Sequence, residues 1–194
     1  TTSMRRYATL ALGLLLAVLV TAPLAAGTLA GVTMPDYAKV GDHDLKLNGM
    51  ALRSKFGFKV YVGGLYLPAA EHDWKKVLAD DGPRHMVMQW VRSVGKEDIC
   101  NAWKEGLEAN TPKASDDVKK NFGALCGLME DAKPGDRFVF TYLPGTGVQV
   151  AINDNAKGTP LGGKPFADAL FACWIGAKPG PGEAFREGLM GNAK

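Results

Sequence analysis

The chain holds 194 residues, with 23 Lys and Arg against 20 Asp and Glu, for a formal net charge of +3. That balance leaves no basic surplus to draw a polyanion, which excludes nucleic acid as a partner. The three cysteines are too few and too widely spaced for a disulfide scaffold, and the length suits one domain.

Arg5 and Arg6 precede an uncharged apolar run over residues 8–20, and small residues follow, the order of a secretory signal peptide. Thr28-Leu29-Ala30 and Ala25-Ala26-Gly27 both offer the small side chains that cleavage needs, and the first places the cut after Ala30. The expected division is a leader over 1–30 and one domain over 31–194, periplasmic or secreted, with a mature charge of about +1. The rival is an uncleaved anchor, since the uncharged stretch runs on to Met34 and a spanning helix needs roughly 20 residues. Pro23, Gly27 and Gly31 count against it, so no membrane span is expected after cleavage.

Residues 32–67 read as strands and turns. Asp44-Leu45-Lys46-Leu47 alternates, Asn48-Gly49 is a hairpin turn signal, and residues 59–67 are rich in Val, Tyr and Leu. Gly63-Gly64 inside that run predicts a bulge or a close approach by another group. A short helix over 71–79 ends before Gly82-Pro83, and 84–92 form a buried strand with Met86, Met88 and Trp90 on one face. Ile99, Trp103 and Leu107 recur every four residues in a helix over 95–110. Ser115 caps a second amphipathic helix, with Asp116 and Asp117 in its first turn and Val118, Phe122, Leu125, Cys126 and Met129 as its stripe. From Asp136 the period returns to two: Phe138, Phe140 and Tyr142 alternate, Pro144-Gly145-Thr146-Gly147 turns, and 148–152 return. Turns follow at Asn153-Asp154 and Gly158-Thr159. Pro165 opens an apolar helix reaching Ile175, and a last short helix covers 183–189. The order predicts an α+β fold with helices on one face of a largely antiparallel sheet.

No phosphate-cradling glycine loop, His-Glu-x-x-His, Cys-x-x-Cys or nucleophile elbow is present in the sequence. His43, His72 and His85 stand apart and read as solvated side chains, so neither a metal nor a cofactor is expected. Cys100, Cys126 and Cys173 sit in apolar helical settings and read as buried thiols.

Two separated segments carry a resemblance. The first runs Leu47-Asn48-Gly49-Met50-Ala51-Leu52-Arg53-Ser54-Lys55-Phe56-Gly57-Phe58-Lys59-Val60-Tyr61-Val62-Gly63-Gly64-Leu65-Tyr66-Leu67. The second comprises Tyr142-Leu143-Pro144-Gly145-Thr146-Gly147, Gly162-Gly163-Lys164-Pro165-Phe166 and Trp174-Ile175-Gly176. Together they resemble the chalcone isomerase-like family, in particular its exported bacterial branch. The resemblance implies an open-faced β-sandwich: a large antiparallel sheet covered on one face by helices, with an apolar cleft between them. In plant members the cleft closes a ring by adding a phenolate oxygen to an enone, with an arginine orienting the substrate and hydroxyl side chains assisting. Arg53 matches that arginine, but the family threonines fall on Tyr61 and Cys173. For the plant tyrosine and asparagine, which would lie around 115–127, only Asn121 stands as a candidate.

A guanidinium at the mouth of an apolar cleft takes a carboxylate or phenolate through two parallel hydrogen bonds. Arg92, ending a buried strand, serves the same anion or pairs with Glu97. Tyr61 and Tyr66 are five apart and fall on opposite strand faces, so only one faces the cleft, and Tyr61 is the expected one. Phe56, Phe58, Trp90, Trp103, Phe171 and Trp174 read as core. The expected ligand set is Arg53, Tyr61, Arg92 and Asn121, with Arg53, Tyr61 and Cys173 as the groups for any catalysis. The leading expectation is a binding protein for a small amphipathic acid, fatty or phenolic. The alternative is an intramolecular lyase that closes a ring on a chalcone-like substrate.

Overall fold

A computed structural model describes residues 25–193. The leader's basic start and apolar run therefore lie outside the described residues. Seven strands form one antiparallel sheet in chain order: β3 (Tyr37–Val40), β4 (His43–Lys55), β5 (Phe58–Leu67), β6 (Arg84–Trp90), β7 (Arg137–Leu143), β8 (Gly147–Ile152) and β9 (Asn155–Leu161). A separate two-stranded hairpin, β1 (Ala25–Leu29) with β2 (Val32–Pro35), lies against β4. Its turn is Ala30-Gly31, so the cut expected after Ala30 falls inside a hydrogen-bonded hairpin.

The helices gather on one face, as alternation requires. Residues Ala51, Tyr61, Leu65, Met86, Met88, Trp90, Phe138 and Phe140 point to that side and form the main core. Val62, Tyr66, Val87 and Val139 point to the other side and pack with Val32 and Met34 of the β1–β2 hairpin. Tyr61 and Tyr66 thus occupy opposite faces, and Tyr66 donates its hydroxyl to the Pro35 carbonyl at 2.9 Å. The α+β expectation holds: an antiparallel sheet carries the helices on one face.

Helix α1 (Trp74–Ala79) is capped by Asp73, whose carboxylate accepts from Lys75 N at 2.9 Å. Helix α2 (Lys96–Asn110) buries Ile99, Trp103 and Leu107. Helix α3 (Asp116–Leu128) starts at Ser115, whose hydroxyl accepts from Val118 N at 3.2 Å. Helix α4 (Lys164–Ile175) lies between the sheet and α2, α3 and α1, with nine of its twelve residues buried. That explains a helix apolar on nearly all sides. Helix α5 (Glu183–Leu189) closes one end against β4.

One polar cluster pins α4 to the sheet edge of the core. Arg84 on β6, only 1% exposed, donates from Nη2 to Asp168 of α4 at 2.7 Å and to the Asp80 carbonyl at 2.8 Å. Its Nε and Nη1 have no acceptor among the described residues; its guanidinium instead lies 5.4 Å from the Tyr142 ring and 5.6 Å from Phe171. Lys164 takes the other Asp168 oxygen at 2.7 Å.

Two sequence expectations are corrected, and that for Gly63-Gly64 is met. Asn48-Gly49 is not a turn but the middle of the thirteen-residue β4, where pairing slips from Leu47–Tyr66 to Gly49–Leu65 and leaves Asn48 as a bulge. The Asn48 amide donates to the Glu71 and Leu189 carbonyls at 2.9 and 2.8 Å and accepts from Glu71 N at 2.9 Å, so it ties three segments together. The real β4–β5 turn is Phe56-Gly57, with φ of 51° and 80°. Gly63 and Gly64 mark close approach: a Cβ on Gly63 would lie 2.7 Å from Phe185 Cζ, and one on Gly64 would strike Met34 Sδ. Finally, Asn153-Asp154 turns the chain as expected, but Gly158-Thr159 lies within β9, an exposed edge strand whose polar residues, Gly158 and Pro160 carry no alternation.

His85, expected to be solvated, sits mid-strand in β6. Its Nδ1 bonds Thr141 Oγ1 at 2.7 Å, and its ring meets Tyr66 edge-on at 5.6 Å. Burial, then the Arg137 charge, lowers its pKa to about 4. The unfolded chain, with His near its ordinary value of about 6.5, takes up this proton first as pH falls. The stability held by neutral His85 is therefore complete above pH ~6.5 and is lost progressively towards pH ~4. Melting temperature should fall across that window in the wild type and fall less in His85→Gln, by calorimetry at constant ionic strength.

Candidate functional site

The site is built where β4, β5 and β6 run side by side under α2. Arg53 pairs with Tyr61, and Tyr61 with Trp90, so the three form a row across the strands on the helix-bearing face. The register slips between Arg53–Tyr61 and Ser54–Lys59, leaving Val60 as an extra residue beside Tyr61. Such a bulge re-aims the neighbouring side chains. Helix α2 lays Ile99, Ala102, Trp103 and Gly106 over this row, and α4 adds Cys173 and Trp174 from the end. Gly106 is required there: a Cβ would stand 2.7 Å from Cys173 Sγ. Lys178, Gly180 and Pro181, which follow α4, finish the rim.

Together these residues enclose a cavity of about 330 Å³. Its floor is a set of edge-on rings, Tyr61–Trp90 and Trp103–Trp174, each at 5.1 Å, with Phe140 backing Trp103 at 5.4 Å. Arg53 stands half-buried at the rim, one Nη1 hydrogen given to the Pro181 carbonyl at 3.1 Å. The rest of the fork has no partner among the protein's hydrogen bonds that the structure describes. Trp90 and Trp103, 3% and 4% exposed, line the cavity, and neither indole N–H meets an acceptor among the described residues. A buried N–H without an acceptor costs about 1–3 kcal/mol, so two of them in residues of one cavity wall are an unusual feature.

Tyr61 and Cys173 are both held neutral. Burial drives the Tyr61 hydroxyl well above its ordinary range, and the Arg53 charge and the Trp174 indole bring it only part of the way back. Tyr61 is thus a hydrogen-bond donor at any physiological pH. Burial likewise pushes the Cys173 thiol up to about 12, and its Sγ donates to the Ala169 carbonyl at 3.4 Å. At neutral pH, alkylation of Cys173 by iodoacetamide should run roughly a thousandfold slower than at an ordinary thiol. Peptide mass spectrometry before and after unfolding checks this.

A shallower groove of about 380 Å³ opens outward from the same place and shares Arg53, Lys55, Tyr61, Trp90, Ile99 and Ala102 with the cavity. A model of the chalcone isomerase-like family matches residues 26–191. The chain belongs to the chalcone isomerase-like family. Its fold resembles the crystal structure of a fatty-acid binding protein of Arabidopsis thaliana, with a TM-score of 0.66 and 19% identity over 84% of this chain and 93% of that one. No curated protein matches the chain.

Within this chalcone isomerase-like frame, the structure brings Arg53, Tyr61 and Cys173 into one cavity. Arg92 lies outside it, in the outer groove, with its guanidinium 4.2 Å over the Phe58 ring rather than paired with Glu97. Asn121 joins neither space: its amide is spent within α3, donating to the Asp117 carbonyl at 2.9 Å and carboxylate at 3.4 Å. Phe56 and Phe58, expected in the core, are exposed. Trp90 and Trp103 are core residues as expected, but their unsatisfied N–H groups are a polar feature that residue type alone does not reveal. The one available signal was general: a buried indole N–H usually finds a partner.

Proposed function

We propose that this protein is an exported binding protein for an amphipathic carboxylic acid, of fatty-acid type, held in the inner cavity with Arg53 as anion anchor. The observation that carries the reading is the Arg53 guanidinium, with one described hydrogen bond, at the rim of a cavity walled by the rings of Tyr61, Trp90, Trp103 and Trp174. An acid supplies both needs at once: a carboxylate for the fork and a chain for the aromatic walls. Tyr61, held neutral, adds a donor. The cavity volume lies at the lower end of the range for small-ligand sites, and the similar Arabidopsis structure is of a protein named for fatty-acid binding. Export, and with it membership of the exported bacterial branch, is supported by Arg5, Arg6 and the apolar run that follows.

The test is native mass spectrometry of the protein purified from its host, with extraction and identification of co-purified lipid, followed by titration with palmitate. A bound acid, and saturable palmitate binding, is the expected result. Empty protein that binds palmitate no better than Arg53→Ala overturns it. A chalcone absorbance assay runs in parallel: turnover above background that Arg53→Ala abolishes would move the reading to the ring-closing lyase.

A further inference from the structure

The β4–β5 hairpin ends in Lys55-Phe56-Gly57-Phe58-Lys59, and its composition defies its position. Phe56 is 89% exposed and Phe58 54%; among large hydrophobic side chains of the described residues only Tyr37 is comparably bare. Phe56 also has φ of 51°, ahead of Gly57 at 80°. A turn of this kind favours Asn-Gly, and a bulky aromatic residue in the left-handed region is strained. The tip thus carries an aromatic ring that buries little and strains the backbone that bears it. Rule-breaking of this kind is expected at sites kept for function.

The charges around the rings indicate what they meet. Lys55 Nζ lies 5.7 Å from the Phe56 ring centre, and Arg92 4.2 Å from that of Phe58. Lys59 follows on the hairpin. In the outer groove at its base, Arg53, Lys55 and Arg92 face one acidic side chain, Asp98. Exposed rings ringed by cations suit the boundary of an anionic bilayer, where the rings enter the acyl edge and the cations meet lipid phosphates. No helix among the described residues is long and apolar enough to cross a membrane, so the contact would be peripheral.

We propose that the Lys55–Lys59 tip docks this protein on an anionic phospholipid surface. Docking there sets the outer groove, and through it the Arg53 cavity, against the lipid interface. The docking stands on the hairpin; that it loads the cavity rests on the fatty-acid reading above.

The experiment is co-sedimentation, without added fatty acid, with vesicles of phosphatidylcholine mixed with phosphatidylglycerol and with vesicles of phosphatidylcholine alone. The wild type should bind the mixed vesicles at low salt, less at high salt, and the neutral ones weakly. Phe56→Ser/Phe58→Ser and Lys55→Gln/Lys59→Gln should each lose roughly tenfold in partitioning. Phe56→Asn separates function from folding: it should melt higher, through relief of strain, and yet bind vesicles less. Wild type that ignores anionic vesicles, or an aromatic-free tip that binds them equally well, overturns the proposal. So does vesicle binding unaffected by salt and by the lysine pair. Palmitate titration in vesicle-free solution tests the cavity separately, so either reading can fall without the other.

Discussion

Arg53→Ala should weaken palmitate binding about 10- to 100-fold, the effect of losing a charged hydrogen-bonding partner worth about 1.5–3 kcal/mol. Three comparisons make the result specific to the anchor. Hexadecanol, which offers no carboxylate, should bind wild type and Arg53→Ala alike. Arg53→Lys keeps the charge but not the planar fork, and should recover only part of the loss. The melting temperature should change little, because Arg53 is half-buried and makes one hydrogen bond, to Pro181. Isothermal titration at two pH values adds a further check. Tyr61 is held neutral far above physiological pH, so affinity between pH 6 and 9 should follow ionisation of the ligand and not of the protein. Equal palmitate affinity in wild type and Arg53→Ala would remove the anchor.

Asp168→Ala should be among the most destabilising single substitutions outside the cavity. Arg84 is 1% exposed and its other neighbours are the Asp80 and Leu78 carbonyls and two aromatic rings. Removing the carboxylate leaves a buried cation without a counter-charge, at a cost of about 3–5 kcal/mol. Asp168 is a third exposed, so water will screen part of this and the lower figure applies. At roughly 2–4 °C per kcal/mol for a domain of this size, the melting temperature should drop by roughly 6–12 °C. The double variant Arg84→Met/Asp168→Leu removes both charges and should melt well above Asp168→Ala. A double variant no more stable than Asp168→Ala would show that the pair contributes through packing, not charge.

Much of this fold was legible because period and burial coincide. Phe138, Phe140 and Tyr142 alternate into the main core, and Ile99, Trp103 and Leu107 face the sheet from α2. Arg53 and Tyr61, singled out through the resemblance, stand opposite each other on neighbouring strands. The failures arise where a residue's partner lies far away in the chain. Asn48-Gly49 has turn composition, but Asn48 is held by Glu71 and Leu189, which no local pattern discloses. β9 has no apolar face because it is an edge, and β1 is made of small residues that serve a signal peptidase equally well. Phe56 and Phe58 were taken for core because aromatic rings usually are; only the turn between β4 and β5 reveals their exposure. Asn121 had the right residue type on the wrong helix, α3 rather than the cavity-covering α2.

The strand order bears on how the molecule is made. In the seven-stranded sheet each strand after β3 pairs with its predecessor in the chain, so the ladder can be laid down one rung at a time as the polypeptide emerges, with only the β6–β7 pairing reaching across two helices. The lid on that ladder comes late. Helix α4, which fills the space between sheet and outer helices, starts only at Lys164, and until it arrives Phe140 and Trp103 lack the Trp174 ring that packs on both. The dangerous interval in biosynthesis is thus the final stretch of the chain, when a nearly complete sheet presents its aromatic face to any other nascent copy nearby.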